Sequence, residues 1–377
     1  MALGAPLAAQ APVRAGAEGA APPPPAPRPR GALVLGGGGA KGGAHIGVLR
    51  ELERLRVPVD LIAGTSIGAV IGGLYASGMD VDELEALVHS LEWSDLLSDR
   101  APRPLRPFRR KAADERIPSR LELGFNGGRI RFPRGLVSGQ NVELTLRSAT
   151  LPVANVRSFE QLPIPFRAVA TDLETGEAAV LGQGELSTAI RASMSIPGAF
   201  APVERDGRLL VDGGLVDNLP VDVARAMGAD VVIAVDLTPP LYEADEITSA
   251  LEVSAQTLRI TTLRNTLPSR RALVEGRDLL LQPDVESIAI TDFRQLPASI
   301  AAGRAAARER EPFLRGLSLD SASYARLRAS QQRRGVALPP LDFVRVRGAR
   351  GTDPDLVAAR VRLPLGREVS AAELDQA

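Results

Sequence analysis

The chain has no cysteine and only two histidines, His45 and His89, in 377 residues. Without cysteine there is no disulfide framework and no thiolate metal site, and two isolated histidines speak against structural zinc. No stretch reaches the roughly 18 to 20 apolar residues of a membrane span, so membrane contact is expected to be peripheral or made by a further segment. Lysine is scarce too, at Lys41 and Lys111 alone, and the formal net charge is zero. Balanced charge gives no general attraction for nucleic acid, and no nucleic-acid partner, metal or cofactor is expected.

The shortage of histidine matters because of Gly64-Thr65-Ser66-Ile67-Gly68, a GxSxG pattern. The apolar Leu61-Ile62-Ala63 precedes it and helical periodicity follows. Ser66 is therefore expected on a sharp strand-to-helix turn that exposes its hydroxyl, with Gly64 and Gly68 leaving room for the turn. A serine at that place could also simply cap the helix. In the order Ser, acid, His, a hydrolase triad needs a histidine late in the chain, and none follows His89. If Ser66 is a nucleophile, its base must be a carboxylate or a lysine. His45 is expected to face the core near a glycine loop, and His89 to lie on the surface beside Glu85.

That loop is Gly36 to Gly43, containing GxGxxG from Gly37 to Gly42 directly after the first strand. A dinucleotide fingerprint would need an acid at the end of the second strand, where Gly64-Thr65-Ser66 stands instead; Asp60 precedes that strand. Backbone N–H groups at such a turn suit an oxyanion hole, with Gly37, Gly38 and Gly39 as donors. Lys41 reads as exposed. For the base, Val211-Asp212-Gly213-Gly214 places a carboxylate at the end of an apolar strand, at the edge where an open parallel sheet binds ligands. Asp172 and Asp217 are rivals, and Asp212 could merely open a turn with Gly213 and Gly214. A carboxylate is a weak base for a hydroxyl unless burial raises its pKa.

Short apolar runs alternate with helical periodicity from Gly31, the pattern of a three-layer α/β/α domain with a mainly parallel sheet. Strands are predicted at 32–35, 61–63, 166–170, 209–211, 231–235 and 279–281, and helices at 44–55, 67–76 and 80–91. Residues 1–30 are Ala/Pro-rich and expected to be disordered, and an Ala-Gln-Ala near their start could close a signal peptide. Residues 94–135, with five prolines and an arginine run, read as a long loop: a solvated basic loop, or a flap meeting an anionic lipid surface. Residues 31–316 form the main domain and 317–340 a helical linker. In 341–377 an alternating strand at 341–348, a helix at 353–362 and another from Ser370 suggest the start of a second fold, cut short.

The glycine loop, the elbow about 25 residues on and the DGG at 212–214 together resemble the patatin-like phospholipase family. The resemblance runs from about Gly31 to Phe313 and includes Ala170–Leu173 and Ala192–Gly198. It implies a serine acyl hydrolase with Ser66 as nucleophile, Asp212 as base, Gly37 to Gly39 as oxyanion donors, and Gly42, Gly64, Gly68, Gly213 and Gly214 as motif positions. The implied substrate is a phospholipid or lysophospholipid, split by phospholipase A or lysophospholipase chemistry through an acyl-enzyme. A short-chain esterase or thioesterase, and a non-enzymatic nucleotide-binding or surface module built on the glycine loop, are the alternatives. Residues 341–377 resemble the opening of a POTRA domain, which implies a secreted or outer-membrane bacterial protein; a cytoplasmic location is the alternative.

Overall fold

A computed structural model describes residues 28–96, 98, 124–126, 129–131, 135, 137–332, 340–346, 353–361, 363–367 and 369. Residues 1–27 of the segment expected to be disordered, most of the proposed flap and the helix expected from Ser370 lie outside the described residues, while Arg28 and Arg30 at the end of the first segment are held by Asp60 and Asp230. The strands are β1 (Gly31–Leu35), β2 (Leu61–Thr65), β3 (Gly124–Asn126), β4 (Arg129–Arg131), β5 (Phe166–Asp172), β6 (Ala178–Leu181), β7 (Val203–Arg205), β8 (Arg208–Asp212), β9 (Val231–Val235) and β10 (Leu279–Leu281). The main sheet runs β10-β9-β1-β2-β5-β8-β7, with β6 also paired to β5, while β3 and β4 form a separate hairpin.

The five strands from β10 to β5 are parallel. β6 and β8 run antiparallel to β5, and β7 antiparallel to β8. Parallel strands buried on both faces read as continuous apolar runs, which is why Leu33-Val34-Leu35 and Val231–Val235 were legible as strands. Alternate side chains serve different layers. Leu33, Leu35, Ile62, Phe166 and Ile233 enter the larger core, with α1 (Gly43–Arg54), α2 (Ile67–Ala76), α3 (Val81–Ser90) and later helices. Ala32, Val34, Leu61, Ala63 and Ala234 enter a smaller core with α7 (Val221–Ala226). The remaining helices are α4 (Trp93–Leu96), α5 (Gln140–Thr150), α6 (Leu186–Ser193), α8 (Ala250–Ala272), α9 (Leu296–Glu309), α10 (Glu311–Gly316), α11 (Ser321–Gln331) and α12 (Pro354–Ala358). The fold is a three-layer α/β/α domain, and among the described residues no helix is long and apolar enough to cross a membrane.

Helix α9 lies directly on α1. A methyl on Gly47 would stand 2.1 Å from the carbonyl oxygen of Ile300, and one on Gly303 2.0 Å from that of Ala44, so the two backbones touch where both helices carry glycine. Beside this contact the buried Glu51 accepts bonds from Arg54, Arg304 and Arg308, which hold its carboxyl below the usual range against the opposing effect of burial. Ser299 on α9 accepts from Ala44 N and donates to the Lys41 carbonyl, which fixes the start of α1 and the end of the glycine loop together.

The C-terminal expectations fare unevenly. A short helix forms at Pro354–Ala358, but residues 341–346 carry no strand. Leu341 instead bonds across to Gly366 and Arg367 at a single point. An alternating pattern needs a neighbouring strand to become a ladder, and none is present among the described residues.

Candidate active site

β2 ends at Thr65 and α2 begins at Ile67, leaving Ser66 alone on the turn with φ 56° and ψ −125°. Positive φ in a residue with a side chain is strained and persists only where the surroundings enforce it. Two contacts enforce it here. A methyl on Gly68 would stand 2.1 Å from the Leu35 carbonyl oxygen and one on Gly64 2.5 Å from that of Gly68, so neither position admits a side chain. From the other side, Ser193 Oγ accepts the Ser66 N–H at 2.9 Å and donates to the Val169 carbonyl at 2.5 Å.

Ser66 Oγ donates to Asp212 Oδ2 at 2.6 Å, and both residues are buried, 6% and 7% exposed. The route by which Asp212 arrives differs from the sequence expectation. β8 is antiparallel to its neighbour, so Asp212 does not stand at the carboxyl edge of a parallel strand. Register aligns it instead: β2 pairs Thr65 with Val169, β8 pairs Asp212 with Ala170, and the last residue of β8 is thereby level with Ser66, one past Thr65. The Asp212 N–H donates to the Ser195 carbonyl, and Thr171 Oγ1 donates to the Asp212 carbonyl. Gly214 N donates to Oδ1. A methyl on Gly213 would meet the Val169 carbonyl oxygen at 2.3 Å, so the turn after the acid also requires glycine. Burial pushes the Asp212 carboxyl up to about 6, with the Ser66 and Gly214 hydrogen bonds pulling the other way.

The rival acids are placed elsewhere. Asp172 lies at the far end of β5, capping Glu174 N and facing Arg208 at 3.8 Å. Asp217 is pushed up to about 7 by burial and by Asp222, and its carbonyl accepts the Thr65 hydroxyl. Neither reaches Ser66. Asp60, which precedes β2 where a nucleotide fold would need an acid beyond it, pairs with Arg28 and Gly31 N at the start of β1.

The glycine loop packs on Ser66: a methyl on Gly37 would stand 3.0 Å from Ser66 Cβ and 2.5 Å from Asn218 Oδ1. Gly39 takes φ +59°, and a methyl there would be 2.3 Å from the Ile290 carbonyl oxygen. A methyl on Gly42 would strike Ile67 Cγ1 at 2.1 Å. One expected donor is already engaged, because Gly37 N donates to the Asn218 carbonyl at 3.3 Å. Gly38 and Gly39 are half-buried, and their N–H groups have no hydrogen-bond partner among the described residues.

A model of the family described as patatin-like phospholipase matches residues 33–225. The chain belongs to that family. It is 39% identical over 206 residues to an uncharacterized NTE family protein of Mycobacterium tuberculosis, covering 55% of this chain and 48% of that one. It is 35% identical over 209 residues to patatin-like phospholipase domain-containing protein 7 of Rattus norvegicus, covering 55% and 13%. The chain thus spans about half the length, or less, of these curated relatives. Among solved structures it is similar to VipD from Legionella pneumophila, at 17% identity and a TM-score of 0.43, covering 77% of this chain and 67% of that one. The family match contains the glycine loop, the elbow and the DGG turn, and stops before β9, β10 and α9.

Two sequence expectations at this patatin-like site need correction. Lys41 is 2% exposed rather than on the surface, since Leu237, Ile290 and Ser299 close over the loop that carries it. Burial, then Arg259, pulls its ammonium below the usual lysine value, partly offset by Glu286. Gly37, as above, is not a free donor. Sequence reading missed Ser193 and Ser195, which accept the backbone N–H groups of Ser66 and Asp212, the first through its hydroxyl and the second through its carbonyl. Both lie in the 192–198 segment that carried the resemblance, but nothing in that sequence assigns either group to a particular partner. Arg191 is equally buried and donates to Ser195 Oγ at 2.5 Å and to the Ser138 carbonyl, tying the loop before α5 to the segment that supports Asp212. The expected core position of His45 and surface position of His89, 4.0 Å from Glu85, are as found. Among the described residues no cluster of three or more His, Cys, Asp or Glu could hold a metal ion.

Proposed function

We propose that this chain is a serine-dependent lipid acyl hydrolase of phospholipase A or lysophospholipase type, acting through a Ser66–Asp212 dyad. The 2.6 Å bond between the two buried side chains carries the reading. Ser66 Oγ attacks the ester carbonyl carbon as Asp212 takes the hydroxyl proton. The tetrahedral oxyanion is met by the N–H groups of Gly38 and Gly39, in a site dry enough for them to act strongly. Asp212 returns the proton to the leaving alkoxide as the carbon–oxygen bond breaks. Water then attacks the acyl-enzyme, Asp212 accepting its proton and delivering it to Ser66 Oγ as the fatty acid leaves. Burial of Asp212 supports this role, because it lifts a carboxylate from near 4 into the range where a base works at neutral pH.

Contact with a phospholipid surface through residues 94–135 belongs to the same reading. A nucleotide-binding role for the glycine loop finds less support, since β2 ends in Gly64-Thr65-Ser66 with no acid there to hold a ribose. The test is hydrolysis by purified protein of diacyl phospholipid, lysophospholipid, p-nitrophenyl butyrate and acyl-CoA in parallel, with Ser66→Ala as control. Release of fatty acid from the glycerolipids, abolished in the variant, is expected. Turnover of butyrate or thioester alone would move the assignment to esterase or thioesterase, and turnover surviving in Ser66→Ala would end the serine reading.

A further inference from the structure

Within this reading, one peptide unit in the glycine loop is held at both poles, and one of its holders has no role in proton transfer. β1 ends at Leu35, and Gly36 N makes the last ladder bond, to the Val235 carbonyl at 3.0 Å. The next peptide leaves the sheet. Its carbonyl, Gly36 O, lies 2.8 Å from His45 Nε2, and its N–H, on Gly37, donates to the Asn218 carbonyl. A trans peptide is planar, with C=O and N–H pointing in opposite directions, so fixing both ends fixes the plane. The two peptides that follow carry the unpartnered N–H groups of Gly38 and Gly39, and their direction is inherited from that plane. Glycine supplies no side-chain packing to hold a loop, so the orientation must come from such bonds.

His45 is an odd residue to find there if its task is only to fill space. It is fully buried on the first turn of α1, and Nδ1 has no hydrogen-bond partner. An apolar side chain would fill the volume without a stranded ring nitrogen. The bond that histidine alone adds is the one to Gly36 O. That bond requires a proton on Nε2, and burial keeps the ring neutral, pulling it down to about 4 against the smaller effects of the Gly36 bond and Asp236. His45 makes no hydrogen bond to Ser66 or Asp212, which bond one another.

We infer that His45 is a positioning residue for the oxyanion hole: its Nε2–H holds the Gly36 carbonyl, and with the Asn218 carbonyl on Gly37 N it aims the Gly38 and Gly39 N–H groups at the developing oxyanion. Its contribution is made in the transition state, so it belongs in kcat and not in substrate binding.

The experiment compares His45→Gln with His45→Met in the full chain, using a p-nitrophenyl ester. The two side chains are alike in length, but only glutamine can donate to Gly36 O. The methionine variant should lose about 10- to 100-fold in kcat with KM within about twofold, somewhat less than the removal of a whole oxyanion donor. The glutamine variant should recover most of that loss. In both, the acid limb of the pH profile should stay near 6, where Asp212 sets it. Equal kcat in the two variants, or an acid limb displaced in either, overturns the inference. A measurement on the unaltered residue stands beside this in case a variant fails to fold. With exposed His89 changed to Asn, nitrogen NMR of the single remaining imidazole should show a ring protonated on Nε2 at pH 7, and the neutral tautomer protonated on Nδ1 alone contradicts the role. Ser66→Ala, run alongside, separates the two levels. If it retains turnover, the serine reading on which this inference rests has failed; if it is inactive while glutamine and methionine are equal at position 45, only the positioning role has.

Discussion

The two halves of the sheet bring Ser66 and Asp212 together by opposite means. In the parallel half, β1 and β2 run side by side and release the chain at the same edge, so the glycine loop and Ser66 meet as a consequence of topology. In the antiparallel half, β8 runs back toward that edge from outside it, and Asp212 is level with Ser66 because the strand stops at the Ala170 register. The first arrangement tolerates changes in strand length; the second depends on one register and on the Gly213 turn against Val169 that ends it. In a site built this way Ser66 is fixed by architecture and Asp212 by pairing.

Removing each partner gives the largest effect and shows whether both halves are needed. Ser66→Ala and Asp212→Asn should each lower kcat/KM by at least about 10³-fold, with far-UV circular dichroism unchanged. The halves should then differ in stability. The folded-state pKa of Asp212 is raised from 3.8 to about 6, so its ionisation opposes folding as pH rises through that interval and the penalty is complete above it. Asp212→Asn should therefore be more stable than the parent at pH 7.5, by up to about 3 kcal/mol, and no more stable at pH 3.5. Thermal or urea unfolding at the two pH values checks this.

Next in size is Gly39→Ala in the parallel half. Strain at φ +59° and the Ile290 carbonyl at 2.3 Å should distort the hole and lower kcat about 10²-fold, with a smaller change in KM. Ser193→Ala, at the seam between the halves, deprives Ser66 N of its acceptor. It should lower stability by about 1 to 3 kcal/mol, and kcat about tenfold if the elbow relaxes. An unchanged kcat would show that the parallel half holds Ser66 without help from α6.

The same contrast explains what could be read in advance. Ser66, the glycine loop and β1, β2, β9 and β10 were legible because local rules suffice: an apolar run, a glycine turn, helical periodicity. Asp212 was found by its flanking residues, but its position was read as that of a parallel strand, since Leu209-Leu210-Val211 is as continuous an apolar run as those of the parallel strands. β6 and β7 were missed because they are short and partly exposed. Lys41 was misjudged, and Gly37 taken for a free donor, because both depend on residues more than a hundred positions away, Ser299 and Ile290 in one case and Asn218 in the other. The strand expected at 341–348 had the right alternation but, among the described residues, no partner to complete it.

The dyad is tested most directly by the rate of fluorophosphonate labelling as a function of pH, with the modified residue mapped by mass spectrometry. The parent should label at Ser66, at a rate that rises through about pH 6 as Asp212 ionises. Asp212→Asn should label at least about 100-fold more slowly, with no rise through that range. Labelling of Asp212→Asn at the parental rate, or labelling at a serine other than Ser66, would contradict the account.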